Sequence, residues 1–259
     1  YGISGRDRLF GGKSRDWMWG NGGGDVIRGG DGADVLRGHE GEDRLMGGAD
    51  GLDGDLVQYA DAKQGVVVDL GRGRARGEGK DKLVGIENAS GTYEIDVMIG
   101  NGKKNFFFGL FGSDLLRGGG GSDCLSPGGD DNRIFGGPGF DYYEGEGSNL
   151  GAPHMGCWPT SYEGDSTRRG LRIDLAEGTA SNRFESTTLQ GIEGVFGTYD
   201  IDEITGNAES NFLYGGPSSD VIKGLAGNDE LDGGTGYDNL EGGEGTDGCL
   251  NGEVLMSCE

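Results

Sequence analysis

The sequence predicts an all-β protein, a parallel β-roll or β-helix wound as a solenoid. Three observations predict it. Aspartate, or its isostere asparagine, recurs every nine residues in three ladders. An apolar residue stands two places after nearly every one. Glycines crowd the five positions before it, as in Gly29-Gly30-Asp31-Gly32-Ala33-Asp34. The first ladder is Asp7, Asp16, Asp25, Asp34, Asp43. The second is Asp96, Asn105, Asp114, Asp123, Asn132, Asp141. The third is Asp202, Asn211, Asp220, Asp229, Asp238, Asp247. A glycine-rich acidic linker of the same composition would have no reason to hold this phase, or to keep the apolar residue in register with it.

Each part of the repeat has a physical task. Glycines accept positive φ and let backbone carbonyls converge with no Cβ in the way. The three residues centred on the apolar one form a short strand, and alternation turns that residue inward. Successive strands then wind into two parallel sheets with the apolar residues between them. Turns two repeats apart stack on one edge. Their carbonyls and carboxylates are hard oxygen ligands, which suit calcium. One turn cannot complete the shell, so such a site exists only in an array. All seventeen ladder residues are therefore candidate calcium ligands. Treating each stacked pair of turns as one site suggests about ten ions.

The nonapeptide G-G-x-G-x-D-x-U-x resembles the repeats-in-toxin, or hemolysin-type, calcium-binding family. The resemblance spans the ladders at 2–52, 91–145 and 197–250, together with the segments that join them. It implies a secreted calcium-binding β-roll. Departures are local. Leu52 stands where a sixth acid of the first ladder would fall, Asn105, Asn132 and Asn211 replace aspartate, and Ser14 and Ser218 replace a glycine. Sites at those places are expected to be weaker or missing.

Composition narrows the function. The 259-residue chain carries a net charge of −23, which disfavours nucleic acid as a partner. Each bound calcium would offset two of those charges. No stretch approaches the ~20 apolar residues of a membrane helix, so no membrane insertion is expected. No signal peptide stands at Tyr1, which reads as a mature or excised chain. Millimolar calcium outside cells fits such sites. The four cysteines suit an oxidising compartment, with Cys249–Cys258 favoured as a terminal staple and Cys124–Cys157 as the remaining pair.

Four regions are expected along one continuous solenoid: a ladder at 1–52, connecting strands plus a second ladder at 53–146, an irregular loop at 147–169, and connecting strands plus a third ladder at 170–259. A longer duplication joins the second and fourth. Gly65-Val66-Val67-Val68-Asp69-Leu70 parallels Gly170-Leu171-Arg172-Ile173-Asp174-Leu175, and Gly85-Ile86-Glu87 parallels Gly191-Ile192-Glu193. Val66–Leu70 and Leu171–Leu175 are predicted strands, in rungs wider than the nonapeptide ones. Helix is not expected, because the 3.6-residue period is absent.

Catalysis has little support. His39 and His154 are the only histidines, and neither belongs to a zinc-protease helix. No G-x-S-x-G elbow occurs. Glu87, Glu193, Glu163 and Asp165 lie outside the ladders, where structural or solvated roles are expected. The chain is therefore read as no enzyme. Several outward strand positions are apolar: Trp17, Trp19, Val97, Ile99, Leu115, Phe106, Phe108, Tyr142, Phe212 and Tyr214. Such faces mark a covering segment or a partner, and Trp17 and Trp19 have no evident local cover. The leading expectation is a secreted structural or adhesive protein that self-associates through Trp17 and Trp19 into filaments or matrix. The alternative is a calcium-dependent folding and export module of a larger secreted enzyme or toxin.

Overall fold

A computed structural model describes residues 1–49, 54–139, 141–144, 170–181 and 186–258. The described residues form strands and turns, with no helix. Two sheets face one another, one of 16 strands and one of 11. The chain alternates between them in each ladder, so a strand pairs in parallel with the strand 18 residues on: Ile27 lies beside Leu45, Leu116 beside Ile134, and Ile222 beside Leu240. The predicted inward residues stack as a single apolar file between the sheets. Ile27, Leu36, Leu45, Met98, Phe107, Leu116, Leu125, Ile134, Ile204, Leu213, Ile222, Leu231 and Leu240 are fully buried.

The connecting segments differ from the expected wider rungs. Val67–Asp69, Arg74–Arg76 and Lys80–Val84 make an antiparallel meander inside the otherwise parallel 16-stranded sheet. The chain enters two places too far along, beside Val97–Ile99, and then folds back to pair with Arg44–Ala49. Arg172–Asp174, Thr179–Ser181 and Ser186–Gln190 repeat the arrangement in the second copy. Short turns at Gly73 and Gly178, both left-handed, permit the reversals. A nine-residue rule cannot reveal this, because the reversal lies where the period lapses.

Cys249 and Cys258 form the expected disulfide. Cys124 is a disulfide cysteine, but its expected partner Cys157 lies outside the described residues, as do the loop at 147–169, His154, Glu163, Asp165 and Leu52. The aromatic face at the first strands is better covered than the sequence suggested. Tyr1 stacks on Trp19 at 4.6 Å, and the Arg37 guanidinium lies 5.7 Å from that ring. Trp17 stays 39% exposed. The expected column Phe106, Cys124, Tyr142 is in register, and Phe106 and Cys124 are buried.

Candidate metal centre

The ladder acids form a side-chain column along each edge of the solenoid. The backbone N–H of Asp16 donates to Asp34 Oδ1 at 2.8 Å, that of Asp25 to Asp43 Oδ1 at 2.7 Å, and that of Asp114 to Asn132 Oδ1 at 2.8 Å. The same link joins Asp123 to Asp141, Asp220 to Asp238 and Asp229 to Asp247. One carboxylate oxygen thus holds the rungs together. The other turns into its own glycine turn.

That second oxygen divides the turns into two kinds. In ten of them it is buried with no hydrogen-bond donor: Asp25, Asp34, Asp43, Asp114, Asp123, Asp141, Asp220, Asp229, Asp238 and Asp247. In each the residue four places earlier has positive φ, for example Asn21, Gly30, His39, Leu110 and Leu225. The left-handed residue turns its N–H away from the carboxylate. These turns are open. At Asp7, Asp96 and Asp202 the residue four places earlier is not left-handed, and the N–H of Ile3, Thr92 or Thr198 donates to Oδ2 at 2.7, 2.6 and 2.5 Å. The Thr92 and Thr198 hydroxyls also contact Asp96 and Asp202. These turns are closed.

The three asparagines fit this division. Asn105 and Asn211 sit in closed turns, accepting from the N–H of Asn101 and Asn207. Their Nδ2 atoms donate back to the carbonyls of Glu87 and Glu193. Asn132 follows left-handed Gly128, and its Nδ2 lies 3.0–3.3 Å from the carbonyl oxygens of Gly128, Gly129 and Asp130. The turn carbonyls therefore converge on the sixth side chain. Where that side chain is aspartate, oxygen faces oxygen. Asp16 is half-buried near the first strands, and its backbone N–H donates to Asp34 Oδ1.

Neighbouring turns add a further oxygen. A Cβ built at Gly29 would overlap both Asp34 Oδ2 and the Gly47 carbonyl oxygen. The same holds at Gly109 for Asp114 and Pro127, and at Gly224 for Asp229 and Gly242. Burial acts on these carboxylates as expected for uncompensated charge. It pushes Asp114 up to about 8, and Asp43, Asp123 and Asp220 up to about 7, against the lowering effect of the ladder hydrogen bonds. Asp141 is raised to about 6 for the same reason.

Sequence matches this geometry to a family. The RTX calcium-binding nonapeptide repeat matches residues 1–36, 19–51, 90–125, 196–231 and 223–249. The chain belongs to the RTX calcium-binding repeat family. No curated protein matches it. RTX repeats bind calcium, and the donors present fit that ion. They are hard oxygens, carboxylate and carbonyl. Among the described residues no three His, Cys, Asp or Glu side chains converge as a metal cluster. The other oxygens at hand in these turns are backbone carbonyls.

Sequence reasoning missed several members of the RTX columns. Asp55 takes the rung that Leu52 leaves vacant, accepting from the Asp34 N–H across 21 residues instead of 18. Asp81 accepts from the Asp43 N–H at 3.1 Å and from the Tyr59 hydroxyl at 2.9 Å. Glu87, Glu193 and Glu253 end their columns, accepting from the N–H of Asp55, Asp141 and Asp238. The longer glutamate reaches back across a rung whose spacing has changed. The paired Gly-Ile-Glu motifs carried the signal for two of them.

Proposed function

We propose that this chain is a secreted, non-catalytic calcium-binding β-solenoid with a structural or adhesive role outside the cell. The ten open turns, at Asp25, Asp34, Asp43, Asp114, Asp123, Asp141, Asp220, Asp229, Asp238 and Asp247, are the positions at which calcium is held. The observation that carries this is their buried Oδ2 atoms, which lack a donor and sit near the carbonyls of adjoining turns. Asp7, Asp96, Asp202, Asn105 and Asn211 belong to turns that protein donors close. Asn132 fills its turn with its own amide. The ion supplies positive charge to oxygens that otherwise repel. The protein's part is to fix those oxygens through the edge columns.

No acid of the open turns is left over for proton transfer, which favours a non-catalytic reading. The domain scheme follows from the same division, with closed turns opening the second and third ladders at Asp96 and Asp202. Self-association is assigned to Trp17, the exposed ring on an outer strand of the smaller sheet.

Circular dichroism and light scattering in metal-free buffer and in millimolar calcium test the reading. The expected result is a coil-like spectrum without calcium, a β spectrum with it, and calcium-dependent association that Trp17→Ser weakens. A full β spectrum after exhaustive chelation would overturn the calcium role. A monomer at high concentration in calcium would remove the assembly role alone.

A further inference from the structure

The 16-stranded sheet carries cations that its fold does not require. The strands Arg44–Ala49, Lys80–Val84 and Arg74–Arg76 are consecutive neighbours. Register places Arg44 beside Lys82, Lys82 beside Arg74, and Lys80 beside Arg76. All five side chains are exposed, while Asp81, Leu83 and Ala75 between them turn inward. No acid occupies an outward position on these three strands. Asp69, on the next strand, lies 3.7 Å from Arg74 and borders the patch. Strands are ~4.8 Å apart and alternate residues on one strand ~7 Å apart, so the cations form two ranks parallel to the solenoid axis.

The second copy of the duplication is an internal control. Its equivalent pairs are Thr179 beside Thr188 and Ser181 beside Ser186 in the same antiparallel register, with only the counterpart of Arg44, Arg133 beside Thr188, still a cation. Neutral hydroxyls build the same meander. A chain of net charge −23 has nonetheless gathered five like charges on this face, where they repel one another.

We propose that this face binds a linear acidic polysaccharide lying along the solenoid axis. Strands recur every ~4.8 Å along the axis, so a linear polymer whose carboxylates or sulfates recur at a similar spacing meets a cation on each strand. Arginine forks bind either group through paired hydrogen bonds. Beside the ranks runs a flank for the sugar rings, with Phe10, Arg28, Met46 and Val84 in register across four strands. Phe10 is 66% exposed, with the Arg28 guanidinium 5.6 Å from its ring. The negative charge elsewhere is screened beyond ~8 Å at physiological salt. Calcium held in the turns reduces it further, so this inference rests on the folded calcium form proposed above.

The test is calorimetric titration of the full chain, with equal millimolar calcium in cell and syringe. The probes are a polyuronate oligosaccharide, a sulfated oligosaccharide, a neutral one of equal length, and a single-stranded oligonucleotide of equal charge. The comparison protein combines Arg74→Thr, Arg76→Ser, Lys80→Ser and Lys82→Thr, the residue types its own second copy uses. Binding of one or both acidic saccharides is expected, the stronger naming carboxylate or sulfate as the group read. The neutral probe should not bind. The four-fold variant should keep its β spectrum and lose affinity at least about tenfold. Unchanged affinity in a variant with a β spectrum overturns the inference, as does tighter binding of the oligonucleotide than of either saccharide. Absence of a β spectrum in calcium overturns the calcium reading and this inference together.

Discussion

At the residue scale, function turns on one oxygen. Each ladder aspartate uses Oδ1 for its neighbour rung and leaves Oδ2 in its turn. The first glycine of the repeat is needed because that oxygen and a carbonyl of another turn crowd the place of its missing Cβ. Gly29→Ala is expected to lower calcium affinity sharply and to destabilise the calcium form, because the new methyl overlaps Asp34 Oδ2. Gly102→Ala, where a Cβ meets nothing within 4 Å, should be nearly neutral. Calcium titration of both separates site crowding from a general cost of losing glycine. A second contrast uses the acids themselves. Asp34→Ala removes a buried carboxylate from a proposed calcium turn and should lower the melting temperature, whereas Asp61, 57% exposed in a surface ion pair with Arg37, should change stability by only about 0–1 kcal/mol when replaced by alanine. Equal melting shifts would argue against Asp34 as a site residue.

At the element scale, the turn type is set four residues before the acid. Gly30 or Gly119 there opens the turn; Thr92 or Thr198 closes it. Leu110 and Leu225 open their turns at a strain on the order of 1 kcal/mol or more, being apolar residues held at positive φ. Asn105 shows why an isostere is not a lost aspartate. The N–H groups of Glu87 and Asn88 both point back to the Asp55 carbonyl, so the next rung meets the Glu87 carbonyl and needs a donor. Asn105→Asp should therefore destabilise by about 1–3 kcal/mol, with no gain in the number of calcium ions bound. Thermal melting and ion counting by calorimetry check it; an extra ion would refute the closed-turn reading. The sequence displayed asparagine in phase but not the direction of the peptide facing it.

At the scale of the whole molecule, a single file of apolar side chains carries the core, and buried carboxylates oppose it. Asp43, Asp114, Asp123 and Asp220 titrate near 7 to 8 in the calcium-free fold, through burial, but near the ordinary carboxylate range when unfolded. The calcium-free fold then binds more protons than the unfolded chain. Its stability is highest below the unfolded values and declines as pH rises through the folded ones. In metal-free buffer the β spectrum should strengthen on acidification from about pH 8 to about pH 5. With calcium present the sign reverses, because protons compete for the same oxygens. Parallel pH series of circular dichroism would show opposite slopes; equal slopes would mean that these carboxylates do not meet the ion.

The sequence by itself determined the solenoid, its apolar file and the family, because a nine-residue period fixes turn, strand and side-chain direction at once. It also favoured the Cys249–Cys258 staple, whose spacing matches one repeat and which the structure forms. Tertiary structure decided what depends on neighbours many residues away. Asp55 entering the column past Leu52, the antiparallel meanders and the glutamates ending the columns all arise where the period breaks and hydrogen bonds choose new partners. So does the division into open and closed turns. A local pattern names the acid at each rung, but only the stacked rung beside it fixes whether its second oxygen meets an amide, a carbonyl or an ion.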